Sequence, residues 1–335
     1  MENEIANKQG VESTKNSISL ASLKDSEMLR SNITVLIGGI IFISVLLSFL
    51  SPYFFRTSNL TNIALQSSIN GILAIGMTFV ILTAGIDLSV GSILSFSGVV
   101  LGWSLNILGV PVPIALLLCV SAGGLCGLAN GLFVAKGKVP PFIVTVGMMG
   151  IAQGMALVIT GGRPISGFDQ AVVFLGSGRI AGVPIPFIIM IVCYIIAYYV
   201  LHYTKFGRYV FIIGGNQEAA RLSGINVDKF RIFVYIICGM TAGIASIIMT
   251  GRLNSANAIA GMGLQLDAIA AVIIGGTSFS GGEGFIVGTL LGAILMTIIR
   301  NGMNLLNVSS HYQQIVIGLI IIFAVMSDTL RKSRA

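Results

Sequence analysis

The chain has 335 residues, of which 55% are hydrophobic and only 9% charged, with 42 glycines and a net charge of +7. A soluble domain carries about 25% charged residues, so this composition cannot dress a water-facing surface and excludes an ordinary soluble enzyme. Nucleic acid is no better explanation of the +7, because the basic residues form no stripe or cluster.

Residues 1–32 are polar, lack the apolar core of a cleavable leader, and read as a disordered cytoplasmic N-terminal tail. From there, runs of about 20 apolar residues, the length needed to cross hydrocarbon as helix, recur through the chain. The expected fold is all-α: a polytopic membrane protein with about ten transmembrane helices. They fall near 33–51, 62–84, 88–107, 112–135, 141–160, 184–202, 230–250, 266–279, 285–303 and 311–327. The eighth is short and ends in glycines, as a broken or re-entrant helix does. The permease domain so defined covers 33–328, and 329–335 is a short basic cytoplasmic tail. With the N-terminus placed inside, only 5 of the 19 Lys and Arg fall outside, at Arg56, Arg163, Arg179, Arg252 and Arg300. The other 14 fall inside, which fits cytoplasmic N- and C-termini and an even number of crossings.

Little in the spans looks catalytic. Cys119, Cys126, Cys193 and Cys238 sit in apolar runs without a C-x-x-C pair and read as packing residues, with no disulfide and no metal site. His202 and His311 stand at span ends without Cys or carboxylate neighbours. Asp87, between the second and third spans, reads as a cap on a helix beginning at Leu88, at the inner interface. An ionisable group at that depth is also a functional-site candidate. Asp267 reads as a cap at the outer start of the eighth span. Glu283, in a Gly-rich turn, is placed to accept backbone N–H groups. Hydroxyls and amides such as Gln66, Asn70, Thr78 and Gln153 suit either helix packing or a path for a neutral polar solute.

The inside loop 203–230 holds the most informative local pattern. Asn216 is a good N-cap, Glu218 suits the positive helix start, and Ala219, Ala220, Arg221 and Leu222 are strong helix formers. Gly224 is placed as a C-terminal stop. A helix of two turns is marginal alone, so it docks on the protein, on a partner, or on both. Local chemistry leaves a force-receiving coupling helix and an unpartnered surface helix equally open.

Four further strings occur in order around this loop. They are Gly85-Ile86-Asp87-Leu88-Ser89-Val90-Gly91, Gly127-Leu128-Ala129-Asn130-Gly131, Val139-Pro140-Pro141-Phe142-Ile143-Val144-Thr145, and Gly275 to Gly284 with Gly281-Gly282-Glu283 inside it. Together with the loop, they make the chain resemble the permease subunits of ribose-type ABC sugar importers, over nearly its whole length after the tail. The resemblance implies a bacterial inner-membrane, multi-pass permease that translocates a monosaccharide, ribose first. Its implied partners are a second permease subunit (homodimer or close paralogue), a cytoplasmic ABC ATPase, and a periplasmic or lipid-anchored sugar-binding protein. It makes Gly215, Asn216, Glu218, Ala219, Ala220, Arg221, Leu222 and Gly224 the ATPase-coupling segment. Gly85, Asp87, Ser89, Gly91, Asn130, Pro140, Pro141, Gly281, Gly282 and Glu283 become candidates for structure or gating. No enzymatic activity and no bound cofactor are expected. The Ser280-Gly281-Gly282-Glu283 string resembles an ATPase signature only by coincidence, because no G-x-x-x-x-G-K-[ST] is present to cradle phosphates. ATP and Mg would be used by the partner. The alternative, an ion-coupled secondary transporter of a small polar solute, is disfavoured by span interiors almost free of ionisable groups.

Overall fold

The computed structural model describes residues 33–332. It is a bundle of helices with two minute strand pairs. In chain order the helices are α1 (Ile33–Leu50), α2 (Thr57–Leu82), α3 (Val90–Asn106), α4 (Val112–Ala135) and α5 (Pro141–Thr160), then α6 (Gln170–Ser177) and α7 (Ile185–Tyr203). They continue as α8 (Lys205–Gly215), α9 (Gln217–Leu222), α10 (Val227–Leu253), α11 (Leu264–Ile274), α12 (Ile286–Leu305) and α13 (Ser310–Lys332). The strands β1 (Ile165–Ser166), β2 (Arg179–Ile180), β3 (Val183–Pro184) and β4 (Ser255–Ala256) pair antiparallel as β1–β4 and β2–β3.

Among the described residues, eight helices are long and apolar enough to cross a membrane. Prolines start several of them. Pro141 and Pro186 stand in the first turns of α5 and α7, where a missing N–H breaks no helical bond. The central post is α2, buried without a break from Ser67 to Leu82. By contrast α1 and α13 flank the bundle with most of their apolar residues exposed. Helices that are apolar all round yet uncovered by protein are solvated by lipid. The chain is a multi-pass membrane protein.

The broadest helix contact is α4 against α10, and glycine makes it. A Cβ on Gly131 would lie 2.7 Å from the Ile232 Cα, one on Gly243 2.8 Å from the Val120 Cα, and one on Gly239 3.0 Å from the Gly127 N. The two main chains touch, as small residues permit in lipid.

The bundle has two distinct ends. At one, β1 pairs with β4, Asn106 donates from Nδ2 to the Ser166 carbonyl at 3.0 Å, and α6 lies on the last turn of α10. At the other, the end of α2, the end of α8 and the turn before α12 meet. Loops assigned to one side by alternation thus touch one another.

The eighth segment is short, as expected: α11 has 11 residues, about 16 Å of helix against a hydrocarbon core of about 30 Å. Other expectations need correction. The third, α3, has 17 residues and starts at Val90, not Leu88. The loop 203–230 holds two helices rather than one. The loop after α5 contains α6 and three strands. The last helix runs to Lys332, through much of the expected tail. The N-terminal tail lies outside the described residues.

Candidate functional site

Asn216 both ends α8 and caps α9, its Oδ1 accepting the N–H groups of Glu218 and Ala219 at 3.0 and 2.9 Å. Glu218 lies in the first turn and Arg221 in the last, each on the favourable side of the helix dipole. Gly224 takes a φ of +80°, a left-handed conformation that terminates the helix without a side-chain penalty. Ala220 is the inward face, packed with Ile213 and Val227 and flanked by Tyr209, Ile225 and Phe230. Opposite it, Leu222 is 82% exposed. Arg221 pairs with Asp228 of α10 at 3.2 Å, both half exposed. The segment is therefore seated on α8 and α10 while presenting Glu218, Arg221 and an apolar Leu222 outward.

Behind α9 lies a joint made of main chain. The Gly282 N–H donates to the Leu82 carbonyl at 3.0 Å. A Cβ on Gly282 would fall 2.7 Å from the Gly215 Cα, and one on Gly281 2.7 Å from the Ala84 N. Gly281 and Gly282 both have positive φ, +83° and +78°. The Gly-rich turn is thus wedged between the end of α8, just ahead of the α9 cap, and the exit from α2. From the far side Asp328 of α13 pins it, accepting from Ser278 Oγ and the Phe279 N–H, each at 3.0 Å. Glu283 does not take the role expected of it: it is exposed, and its main-chain carbonyl accepts the Ser278 N–H at 2.9 Å. Asp328 went unnoticed in the sequence because a lone acid at the end of a final apolar run looks like an interface residue, and its partners lie 50 and 49 positions away.

Asp87 is fully buried within the bundle. Its Oδ1 accepts the Ser89 N–H at 2.8 Å and the Ser89 hydroxyl, and Asn130 Nδ2 reaches its Oδ2 at 3.4 Å. Asn130 also donates to Ser89 Oγ at 2.9 Å. Tyr235 Oη donates to the Ile86 carbonyl at 3.3 Å. Tyr235 is about two turns inside α10, so residues 83–89 climb back into the bundle before α3 starts. The residue flanking α3 is Ser89, and Asp87 holds the turn ahead of it. Gly85 and Gly91 give room for this path. A Cβ at Gly85 would sit 2.9 Å from Tyr235 Oη, and one at Gly91 2.6 Å from Gln265 Oε1 of α11. The structure thus unites Gly85, Asp87, Ser89 and Asn130 in one cluster and Gly215, Gly281 and Gly282 in another. Pro140 and Pro141 stand apart, at the start of α5.

Asp267 is not a cap. Gly263 precedes α11, and Asp267, buried one turn in, pairs with Arg300 of α12 at 2.8 Å. The helix hydroxyls are mostly spent locally: Ser68 donates to Ala64, Thr78 to Ala74 and Thr145 to Pro141 carbonyls. That favours packing over a solute path for these residues. All four cysteines are unpaired thiols, and among the described residues no cluster of His, Cys, Asp and Glu would hold a metal. His202 stacks on Tyr198 with ring centroids 4.3 Å apart.

A family model described as the permease component of a branched-chain amino acid transport system matches residues 59–325. The chain belongs to this permease family. The ribose import permease protein of Escherichia coli K12 is 48% identical over 293 residues, covering 86% of this chain and 90% of that one. The ribose import permease protein of Bacillus subtilis 168 is 44% identical, covering 87% and 90%. The D-allose transport system permease protein of Escherichia coli K12 is 41% identical, covering 84% and 86%. No solved structure matches. As a permease component the chain hydrolyses nothing itself, in keeping with a sequence that lacks a phosphate-binding loop.

Proposed function

We propose that this chain is the transmembrane subunit of an ATP-driven monosaccharide importer of a bacterial cytoplasmic membrane, with ribose as the first-choice solute. The observation that carries this reading is the 48% identity to a ribose import permease across nearly the full length of both chains. The family description names branched-chain amino acids, but ribose and allose permeases share 41–48% of residues with this chain. The working assembly is two permease copies or paralogues, a cytoplasmic ATPase and an external binding protein. In this reading the chain crosses ten times, α3 and α11 completing their crossings with the segments that flank them, and both termini are cytoplasmic.

In this reading the ATPase holds α9 by Glu218, Arg221 and Leu222. Closure of the motor displaces α9 and the α8 end together, because Asn216 belongs to both. Gly214 and Gly215 press on the Gly-rich turn, which bears on the exit from α2 and so on the segment leading to Asp87. No group on this route changes covalently. The pore subunit converts a push at its surface into a rearrangement of its interior.

The test is reconstitution of the full complex in proteoliposomes with ATP hydrolysis as readout. Ribose-loaded binding protein is expected to stimulate hydrolysis, leucine is not, and Arg221→Glu is expected to abolish stimulation while the protein still reaches the membrane. Stimulation by leucine instead of a sugar, or full coupling in the Arg221 variant, sinks the solute and coupling assignments respectively.

A further inference from the structure

The end of the bundle that carries α9 has a second feature which the coupling route does not use. Lys136, the residue that closes α4, and the start of α10 enclose a cleft of about 380 Å³ lined by Lys136, Asn226, Asp228, Lys229, Ile232 and Phe233. Its one carboxylate, Asp228, is already engaged by Arg221. Among the described residues the ion pairs are Arg221–Asp228 and Arg300–Asp267, so neither lysine has an acidic partner. The cleft therefore presents two uncompensated ammonium groups beside the positive start of a 27-residue helix.

Each lysine sits above an exposed aromatic on its own helix. Phe133 precedes Lys136 by three positions and Phe233 follows Lys229 by four, spacings that share a helix face. Phe133 is 59% exposed and Phe233 45%. Both rings lie one turn deeper into the bundle than their lysines. This order, cation at the rim and ring below it, repeated on two adjacent helices, matches an amphiphile with a negative head and apolar chains. A soluble partner subunit would meet the lysines but has no means of reaching rings a turn deeper in the bilayer.

We propose that this cleft is a binding site for an anionic phospholipid, its phosphate between Lys136 and Lys229 and its acyl chains along Phe133 and Phe233. The site does not depend on which solute is carried. Asp228 lies in its wall and holds Arg221 of α9, so the headgroup sits one ion pair away from the coupling segment.

The test uses the full-length permease in nanodiscs of phosphatidylcholine doped with phosphatidylglycerol, with retained lipid read by native mass spectrometry. The wild type is expected to retain phosphatidylglycerol preferentially. Lys136→Ala with Lys229→Ala should lower that preference by about tenfold or more, the scale of two lysine–headgroup contacts. The paired Lys→Arg variant should keep it. Thermal melting in detergent checks that all three proteins fold alike, and the arginine pair carries the test if the alanine pair melts early. Three outcomes overturn the proposal. In the first, the alanine variant and the wild type retain phosphatidylglycerol equally. In the second, inorganic phosphate displaces the lipid freely, which would mark a simple anion site. In the third, the alanine variant keeps its lipid but loses the co-purifying ATPase, which would mark a protein dock.

Discussion

A buried carboxylate without a counter-ion persists only where neutral donors surround it. Asp87 has such a setting, with the Ser89 N–H, the Ser89 hydroxyl and the Asn130 amide around it and no cation among those contacts. Asp87→Ala strands these donors, at about 1–3 kcal/mol for each group left unsatisfied. The variant is expected to melt several degrees below wild type in detergent, measured by fluorescence-detected size exclusion. Asp87→Asn keeps one acceptor oxygen and is expected to lose less. Equal melting of all three proteins would remove Asp87 from any structural role. The residue itself was legible in the sequence as an outlier of charge. Its depth was not, because the climb of 83–89 into the bundle depends on Tyr235 and Asn130, remote in sequence and unremarkable in type.

At the scale of elements, the joint behind α9 depends on backbone approach rather than on side chains. A Cβ at position 282 meets the Gly215 main chain and is strained by a φ of +78°, a left-handed penalty of about 1–2 kcal/mol. Gly282→Ala is therefore expected to leave the protein in the membrane but cut sugar-stimulated ATP hydrolysis several-fold, with basal hydrolysis unchanged. Unchanged stimulation would show that force bypasses this turn. The long helices were readable because apolar length alone defines them. The α9 helix was readable from its cap, its formers and its stop. The same cap chemistry at Asp169, which accepts the Ala171 N–H at 2.7 Å, could have revealed α6, but its eight residues carry too little periodicity to stand out. A glycine–glycine contact leaves no pattern in one sequence, which is why the joint linking positions 82, 215 and 282 emerged only in three dimensions.

For the whole molecule, the loops group at two ends of the bundle, and the bias of Lys and Arg in the sequence is the ground on which we propose that the α9 end is cytoplasmic. Arg163 and Ser223 are exposed at opposite ends. The native thiols compete little for a water-soluble reagent, since Cys119, Cys126 and Cys238 are buried and Cys193 is half-buried in α7. In intact cells a membrane-impermeant maleimide is expected to label Arg163→Cys at once, and Ser223→Cys only after permeabilisation. The reverse pattern would invert the topology.

The glycine contact between α4 and α10 carries a further consequence. Two helices whose main chains touch leave no gap into which a sugar could be admitted, and parting them would forfeit the close packing that Gly131, Gly239 and Gly243 allow. The pair is therefore expected to move as one plate, a fixed wall beside whichever other seam opens during a transport cycle.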